Sequence, residues 1–299
     1  MNGFKNINDT VANKKFFVKI SEIADKIMQE EFSLLETEKV PLIDHGGSTT
    51  IMTTGVESLD SLLPSFETGN VYLICGRSSM GKKELLFQIA LNIAASTQKS
   101  VYVQSLNLLE NQIVRRMISQ MAGIGIKTGS EEVLAVEEKD RMYSCWSMMD
   151  NLPIYISNKI VGVEVLSQFM KNEVENSILF IDYFQLIFFE RKEYMDLDTE
   201  RLEILRTLKQ LAKEKNMTII LCSQLSRAVD YRWDKRPKLQ DLREGVEKEV
   251  DGVIFIYRDA YYSKDAGDNA ELILAKNPNG KTGTAYVRFN ENTGMFEDK

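Results

Sequence analysis

From Phe16 to Leu35, apolar side chains recur at Val18, Ile20, Ile23, Ala24, Ile27, Met28 and Phe32, with charges between them. This three-or-four spacing predicts an amphipathic helix, and its apolar stripe requires a partner surface. Residues 1–14 ahead of it are polar and read as a loose tail. Behind it, VPLIDHGGSTT carries Pro41, Gly46 and Gly47, a break that sets residues 1–48 apart from a main domain over 49–299. Beyond Gly55 the pattern changes to short apolar runs alternating with helical spacing. VYLIC (71–75) ends at Gly76, and ELLFQIALNIAA (84–95) follows as a helix. KSVYVQSL (99–106) is the next strand and NQIVRRMISQMAG the next helix; LPIYIS (152–157), SILFIDYF (177–184) and MTIILCSQL (217–225) are further strands. A long helix from Thr199 to Lys215 separates the last two, and VDGVIFIYRD (250–259), AELILAK (270–276) and TAYVRFN (284–290) close the chain as strands. Apolar strands alternating with helices predict an α/β fold with a mainly parallel sheet covered on both faces, and the closely spaced last strands predict an antiparallel extension.

Composition narrows the classes without choosing among them. The 299 residues are 43% apolar and 27% charged, ordinary for one large globular domain. A formal charge of −7 opposes nucleic acid over the whole surface, so any such contact needs a local basic stripe. Cys75, Cys145 and Cys222 are isolated, two of them inside apolar runs, and read as reduced, buried thiols. With no CxxC pair and His45 as the one histidine, a zinc site is not expected. No signal-peptide core and no apolar run of the ~20 residues that span a bilayer are present, which predicts a cytoplasmic protein without membrane contact.

The strongest chemical signal is GRSSMGKK at residues 76–83. Gly76, Arg77, Ser78, Ser79, Met80, Gly81 and Lys82 follow the phosphate-cradling pattern, and Lys83 stands where a serine or threonine would hold magnesium. The loop lies between a predicted strand and a predicted helix, where glycines permit a tight turn and helix amides point at an anion. A glycine turn capping a helix would also carry this spacing. Asp182, directly after ILFI, is placed as a carboxylate at the end of a strand beside the loop, suited to a magnesium shell. Ser223 and Gln224, after MTIILC, are placed to sense a terminal phosphate or orient water.

With these residues in view, the chain resembles the C-terminal ATPase domain of DnaB-type replicative helicases, a ring-forming branch of the RecA-like fold. The resemblance runs in order from about residue 50 to the end: TTGVESLD, GRSSMGK, SLNLLENQIVRRM, LPIYIS, ILFIDYFQLI, LKQLAKEKNMTIILCSQLSRAVDYR, DKRPKLQDLREG, IFIYRD and NGKTG. It implies a RecA-like core that binds ATP with Mg2+, with Lys82 as the phosphate lysine, Asp182 as the magnesium-shell aspartate and Gln224 as the sensing glutamine. The helix at 16–35 takes the place of the family's linker helix, which packs on the adjacent subunit of a ring. The family's N-terminal helical domain has no counterpart here, which disfavours the primase partnership that the family assigns to it.

Three positions depart from the family. Lys83 replaces the magnesium-binding hydroxyl, Asn107 replaces the glutamate that polarises water, and Pro278 replaces the arginine that reaches a neighbour's γ-phosphate, leaving Lys276 as a possible intersubunit phosphate contact. A general base contributes ~10²–10⁴ in rate and an arginine finger ~10³–10⁵, so hydrolysis by this chain alone is expected to be very slow. Glu110, three residues past Asn107, would replace the base only if the loop shifted. The family's DNA-holding loop, here FFERKEYMDLDTER (188–201), is acidic, while 226–244 is basic through Arg227, Arg232, Lys235, Arg236, Lys238 and Arg243. The expectation is a nucleotide-binding replication protein with degraded hydrolysis, joined to a replicative helicase or to copies of itself, with single-stranded DNA as a possible further partner. An active 5′ to 3′ helicase and a nucleotide-independent interaction protein are the alternatives.

Overall fold

A computed structural model describes residues 16–31, 50–125, 135–172, 176–190, 195–243, 245–263 and 265–299. Strand β1 (Val18–Lys19) runs straight into helix α1 (Ile20–Glu31), and a short helix α2 (Glu57–Asp60) precedes the main sheet. There follow β2 (Val71–Gly76), α3 (Lys82–Thr97), β3 (Val101–Ser105), α4 (Glu110–Ala122), α5 (Val136–Met149), β4 (Ile154–Ser157), α6 (Val163–Asn172) and β5 (Ile178–Asp182). The chain ends with α7 (Leu197–Glu214), β6 (Thr218–Gln224), α8 (Val246–Glu249), β7 (Gly252–Arg258), β8 (Asn269–Lys276), β9 (Gly283–Asn290) and β10 (Met295–Asp298).

The strands form one sheet in the order β1-β4-β3-β5-β6-β2-β7-β8-β9-β10. From β4 to β7 every pairing is parallel, and β7 through β10 is antiparallel, as the spacing of the runs predicts. Central strands are buried along their length because helices cover both faces, which is why VYLIC and ILFI read as unbroken apolar runs. Strand β9 is covered on one face only and alternates, with Ala285, Val287 and Phe289 buried and Tyr286 and Arg288 exposed. Two hydrophobic cores result, one per face. Tyr72 and Ile74 of β2 join one core, while Val71, Leu73 and Cys75 join the other.

Helix α3 is buried on nearly all sides, since the sheet lies on one side of it and β10 crosses another. The Gln88 side-chain amide locks that crossing, donating to the Phe296 carbonyl at 2.8 Å and accepting from the Phe296 amide at 2.9 Å. All three cysteines are free and buried, and burial pushes the Cys75 thiol up to about 12 and Cys145 to about 11. Among the described residues, no helix is long and apolar enough to cross a membrane.

The first helix differs from its prediction. It begins at Ile20, after two residues spent on β1, and Phe32 to Leu35 lie outside the described residues. Its stripe of Ile20, Ile23, Ala24, Ile27 and Met28 is buried within the same chain, packed on α4 and α5, and not left for a neighbouring subunit. Trp146 fixes it there by donating its indole N–H to Asp25 at 2.6 Å. Helix α5, which supplies that tryptophan, is absent from the predicted elements, although Met142, Cys145, Trp146 and Met149 carry helical spacing. Helix α6 and the short strands β1 and β10 are absent from them too, the strands being too brief for a period to register. The tail, Pro41, His45 and the Gly46 and Gly47 break lie outside the described residues.

Candidate functional site

The sheet order brings distant residues to one edge. Gly76 at the end of β2 pairs with Gln224 of β6, and Asp182 at the end of β5 pairs with Ser105 of β3. Ligands of open parallel sheets bind at these carboxyl ends. The loop from Arg77 to Gly81 leaves β2 there and turns into α3, whose first hydrogen bond runs from the Leu85 amide to the Gly81 carbonyl at 2.9 Å. Amides of the preceding first turn therefore have no partner inside the helix and point at the loop, the arrangement that attracts phosphate. Gly81 has φ of 94°, and a β-carbon there would stand 2.8 Å from the Phe296 ring. Gly81→Ala is expected to lower stability by about 1–3 kcal/mol, through backbone strain and crowding together, and chemical denaturation will register it as a lower midpoint.

Lys82 folds back over the loop and donates from Nζ to the Arg77 carbonyl at 2.7 Å. Burial lowers its ammonium below the ordinary lysine value, against the opposing pull of Cys222, Cys75 and Asp182. Ser78 and Ser79 are exposed on the rim, and Met80 is buried beneath. The Arg77 side chain leaves the loop: its Nε lies 3.0 Å from both Asp230 oxygens and Nη1 donates to the Leu225 carbonyl at 3.0 Å. Its backbone still belongs to the cradle while its guanidinium ties the loop to the segment after β6.

Lys83 reaches Asp182, with Nζ 3.7 Å from Oδ2. Asp182 is 1% exposed and accepts a hydrogen bond from the Ser105 hydroxyl at 3.3 Å. Burial raises its carboxyl above the ordinary aspartate value, against the lowering effects of Lys83 and Ser105. Gln224 is exposed at the end of β6, and its amide is 3.4 Å from the Gln185 side-chain oxygen. Asn107 is exposed two residues beyond Ser105, and Glu110 begins α4. Pro278 is exposed in the turn after β8, beside Asn277, whose side chain donates to the Leu62 and Lys281 carbonyls. Lys276 does not project from that turn; its ammonium donates to the Glu247 and Val250 carbonyls at the end of α8.

Two residues of the site carry no assignment from the sequence. Gln185, on a 3₁₀ turn over Phe184–Leu186, donates to the Ser223 hydroxyl at 2.7 Å and bridges the ends of β5 and β6. Arg258, at the end of β7, is buried, donates to the Ser79 carbonyl at 3.3 Å, pairs with Glu291 and lies 4.0 Å over the Phe289 ring. A cation closing the all-apolar run VIFIY is the available signal for Arg258. Beside the loop a cavity of about 500 Å³ is lined by Ser79, Gly81, Glu84, Gln112, Arg116 and Arg258 among others.

The basic segment after β6 is largely committed within the chain. Arg232 pairs with Asp241 at 2.8 Å, Arg236 grips Glu271 at 2.6 and 2.8 Å, and Arg243 pairs with Asp198. Lys238 lies 3.7 Å from Asp234, and the Lys235 ammonium sits 4.6 Å over the Tyr262 ring. These pairings serve the fold directly and reduce the charge this segment presents to a phosphate backbone. Residues 191–194 of the acidic loop lie outside the described residues.

A glycine loop opening a buried helix, at the carboxyl edge of a parallel sheet and beside a strand-end aspartate, defines the RecA-like class of phosphate-loop folds. The chain belongs to the family of the DnaB-like helicase C-terminal domain, whose model matches residues 51–298. It is similar to the replicative DNA helicase DnaB of Geobacillus stearothermophilus, 32% identical over 263 residues that make up 85% of this chain and 58% of the relative. The replicative DNA helicase DnaC of Bacillus subtilis is 30% identical over 294 residues, 96% of this chain and 64% of the relative. The chain thus spans about six-tenths of the length of these curated relatives. Among solved structures, an isolated ATPase domain superposes with a TM-score of 0.78 at 28% identity, covering 94% of this chain and 98% of that one. A DnaB-like replicative helicase described with its interactions with primase gives 0.77 at 28% identity, covering 99% of this chain and 76% of that one. The RadB recombinase, at 0.55 and 16% identity over 83% of this chain and all of that one, shares the fold.

The resemblance implies magnesium beside the nucleotide, and the residues here do not fit it. A magnesium shell takes oxygen lone pairs, whereas Lys83 presents N–H donors and a positive charge to the carboxylate that would hold the ion. Unit charges about 4 Å apart repel by about 4 kcal/mol at an effective dielectric of about 20, and a divalent ion doubles that. Among the described residues, no group of three or more His, Cys, Asp or Glu is placed to hold a metal.

Proposed function

We propose that this chain binds ATP at the Gly76–Lys82 loop without appreciable turnover, and acts as a subunit or regulator of a replicative helicase ring. The observation that carries this reading is the Lys83–Asp182 contact of 3.7 Å, which leaves the phosphate lysine in place while engaging the strand-end carboxylate of the site. Asn107 and Pro278 support it from two further positions, since the Asn107 carboxamide cannot take a proton from water and Pro278 offers neither a charge nor a donor to a phosphoryl group. The pairing of Gln224 with Gly76 at the loop supports a phosphate-sensing role for this glutamine. A chain of this kind holds a nucleotide-dependent interface and gains stability from the ligand without consuming it.

Membership of a family that includes replicative helicases supports a cytoplasmic role beside DNA and a partner that is either a helicase ring or further copies of this chain. Single-stranded DNA belongs to the proposal through the ring, with the basic segment after β6 turned mainly to internal pairs. The test measures nucleotide binding and hydrolysis on one preparation, with and without single-stranded DNA and a replicative helicase. Tight ATP binding with background turnover is the expected result. DNA-stimulated turnover that Asp182→Ala abolishes would establish instead an active helicase motor, and absence of ATP binding would leave a nucleotide-independent interaction protein.

A further inference from the structure

We propose that Lys83 is a built-in cation that takes over the role of the metal, so that this site binds nucleoside triphosphate without a divalent ion. The inference rests on the reading of the loop as a nucleotide site and specifies what that site requires. Lys83 is the second residue of α3, so its backbone amide belongs to the helix turn that faces the phosphates. From there its side chain runs to the end of β5 and places Nζ 3.7 Å from Asp182, beside the carboxylate at the family's magnesium-shell position.

The chemistry of an ammonium suits a bridge between these two acceptors. Asp182 and a phosphate oxygen are both negative and offer lone pairs only. A metal joins such groups by accepting electron pairs; an ammonium joins them by donating up to three N–H bonds. Among the described residues, Asp182 is the ion-pair partner of the Lys83 ammonium, and 3.7 Å is beyond hydrogen-bond length, so its donors stay available.

The neighbouring charges are arranged in the same sense. Glu84, next in the helix, is turned to Arg116 with Nη1 2.6 Å from Oε1. Lys82 rests on the Arg77 carbonyl. Two ammonium groups and a helix N-terminus therefore meet the triphosphate, with Asp182 as the buried counterion that holds Lys83. The basis for a divalent requirement is absent at both ends: the hydroxyl that would ligate the ion is replaced, and the remaining carboxylate has a cation at its oxygen.

Isothermal titration calorimetry of the full chain with ATP, in excess EDTA and in excess Mg2+, tests this. The wild type is expected to bind in EDTA with an affinity equal to or above that in Mg2+. Lys83→Thr is expected to bind at least tenfold more weakly than wild type in EDTA and to recover affinity when Mg2+ is added. Lys83→Arg, which keeps the charge and donors, is expected to retain metal-free binding; thermal melting of all three proteins verifies that the fold is kept. Wild-type binding that improves tenfold or more with Mg2+ overturns the inference and leaves the nucleotide reading intact. Equal affinity of wild type and Lys83→Thr in EDTA overturns it in the same way. Failure of the wild type to bind ATP in either condition overturns both.

Discussion

Lys82→Ala is expected to weaken ATP binding by about 10- to 100-fold while the protein stays folded. The side chain places its ammonium over the loop backbone, 2.7 Å from the Arg77 carbonyl. Hydrogen bonds to charged groups contribute about 1.5–3 kcal/mol, and each 1.4 kcal/mol is about tenfold in affinity. The loop itself does not depend on this bond, because the Gly81 turn, the Arg77–Asp230 pair and the Arg258 contact to Ser79 hold it independently. Burial already lowers the Lys82 ammonium, so an arriving phosphate meets a cation that lacks full solvation and gains a strong partner by binding. Fluorescence or calorimetric titration measures the loss, and circular dichroism verifies the fold. Unchanged affinity in Lys82→Ala would remove the loop from any nucleotide role and favour a helix-capping glycine turn.

Reversal of the three departures is expected to restore hydrolysis only in combination. Asn107→Glu alone returns a proton acceptor worth ~10²–10⁴, and Pro278→Arg alone returns a finger worth ~10³–10⁵, each to a site where another function is still missing. Parts that act as one unit lose activity non-additively, so each single reversal leaves turnover at background. The geometry permits the experiment. Asn107 lies just past the end of β3, two residues beyond the Ser105–Asp182 pairing, and Pro278 is exposed in a turn already held by Asn277. The triple variant Lys83→Thr, Asn107→Glu, Pro278→Arg, assayed in Mg2+ with single-stranded DNA, alone and mixed with a replicative helicase, is expected to show turnover that wild type lacks. Wild-type turnover lost on Asp182→Ala would end this account, because it would show the present residues to be sufficient.

Much of the molecule is legible in the sequence because the responsible interactions are short in sequence. The loop at 76–83 declares itself in eight consecutive residues, since glycine conformation and a helix start are local properties. Predicted strands match observed ones within a few residues, because burial on both faces leaves no room for polar positions in VYLIC, ILFI or IILC. The first helix shows itself by its stripe, yet the covering surface expected on a neighbouring subunit lies in α4 and α5 of the same chain. A stripe states that a partner exists and carries no information on which one.

The sequence by itself determined the α/β class, the glycine loop between strand and helix, the strand-end placement of Asp182 and Gln224, and the residue types at 83, 107 and 278. Only the tertiary structure decided what those residues touch. Lys83 and Asp182 meet because β5 lies one strand away from β2 across β6, a neighbourhood set by sheet order. The tertiary fold likewise brought Arg243 to Asp198 and Arg236 to Glu271, and sheet order gave Gln185 and Arg258 their contacts. Hydrophobic periodicity records whether a residue faces a core, which is an average over its surroundings. The partner of a charge is a single group brought near by the whole fold, and that is why the Lys83–Asp182 contact appears only in three dimensions.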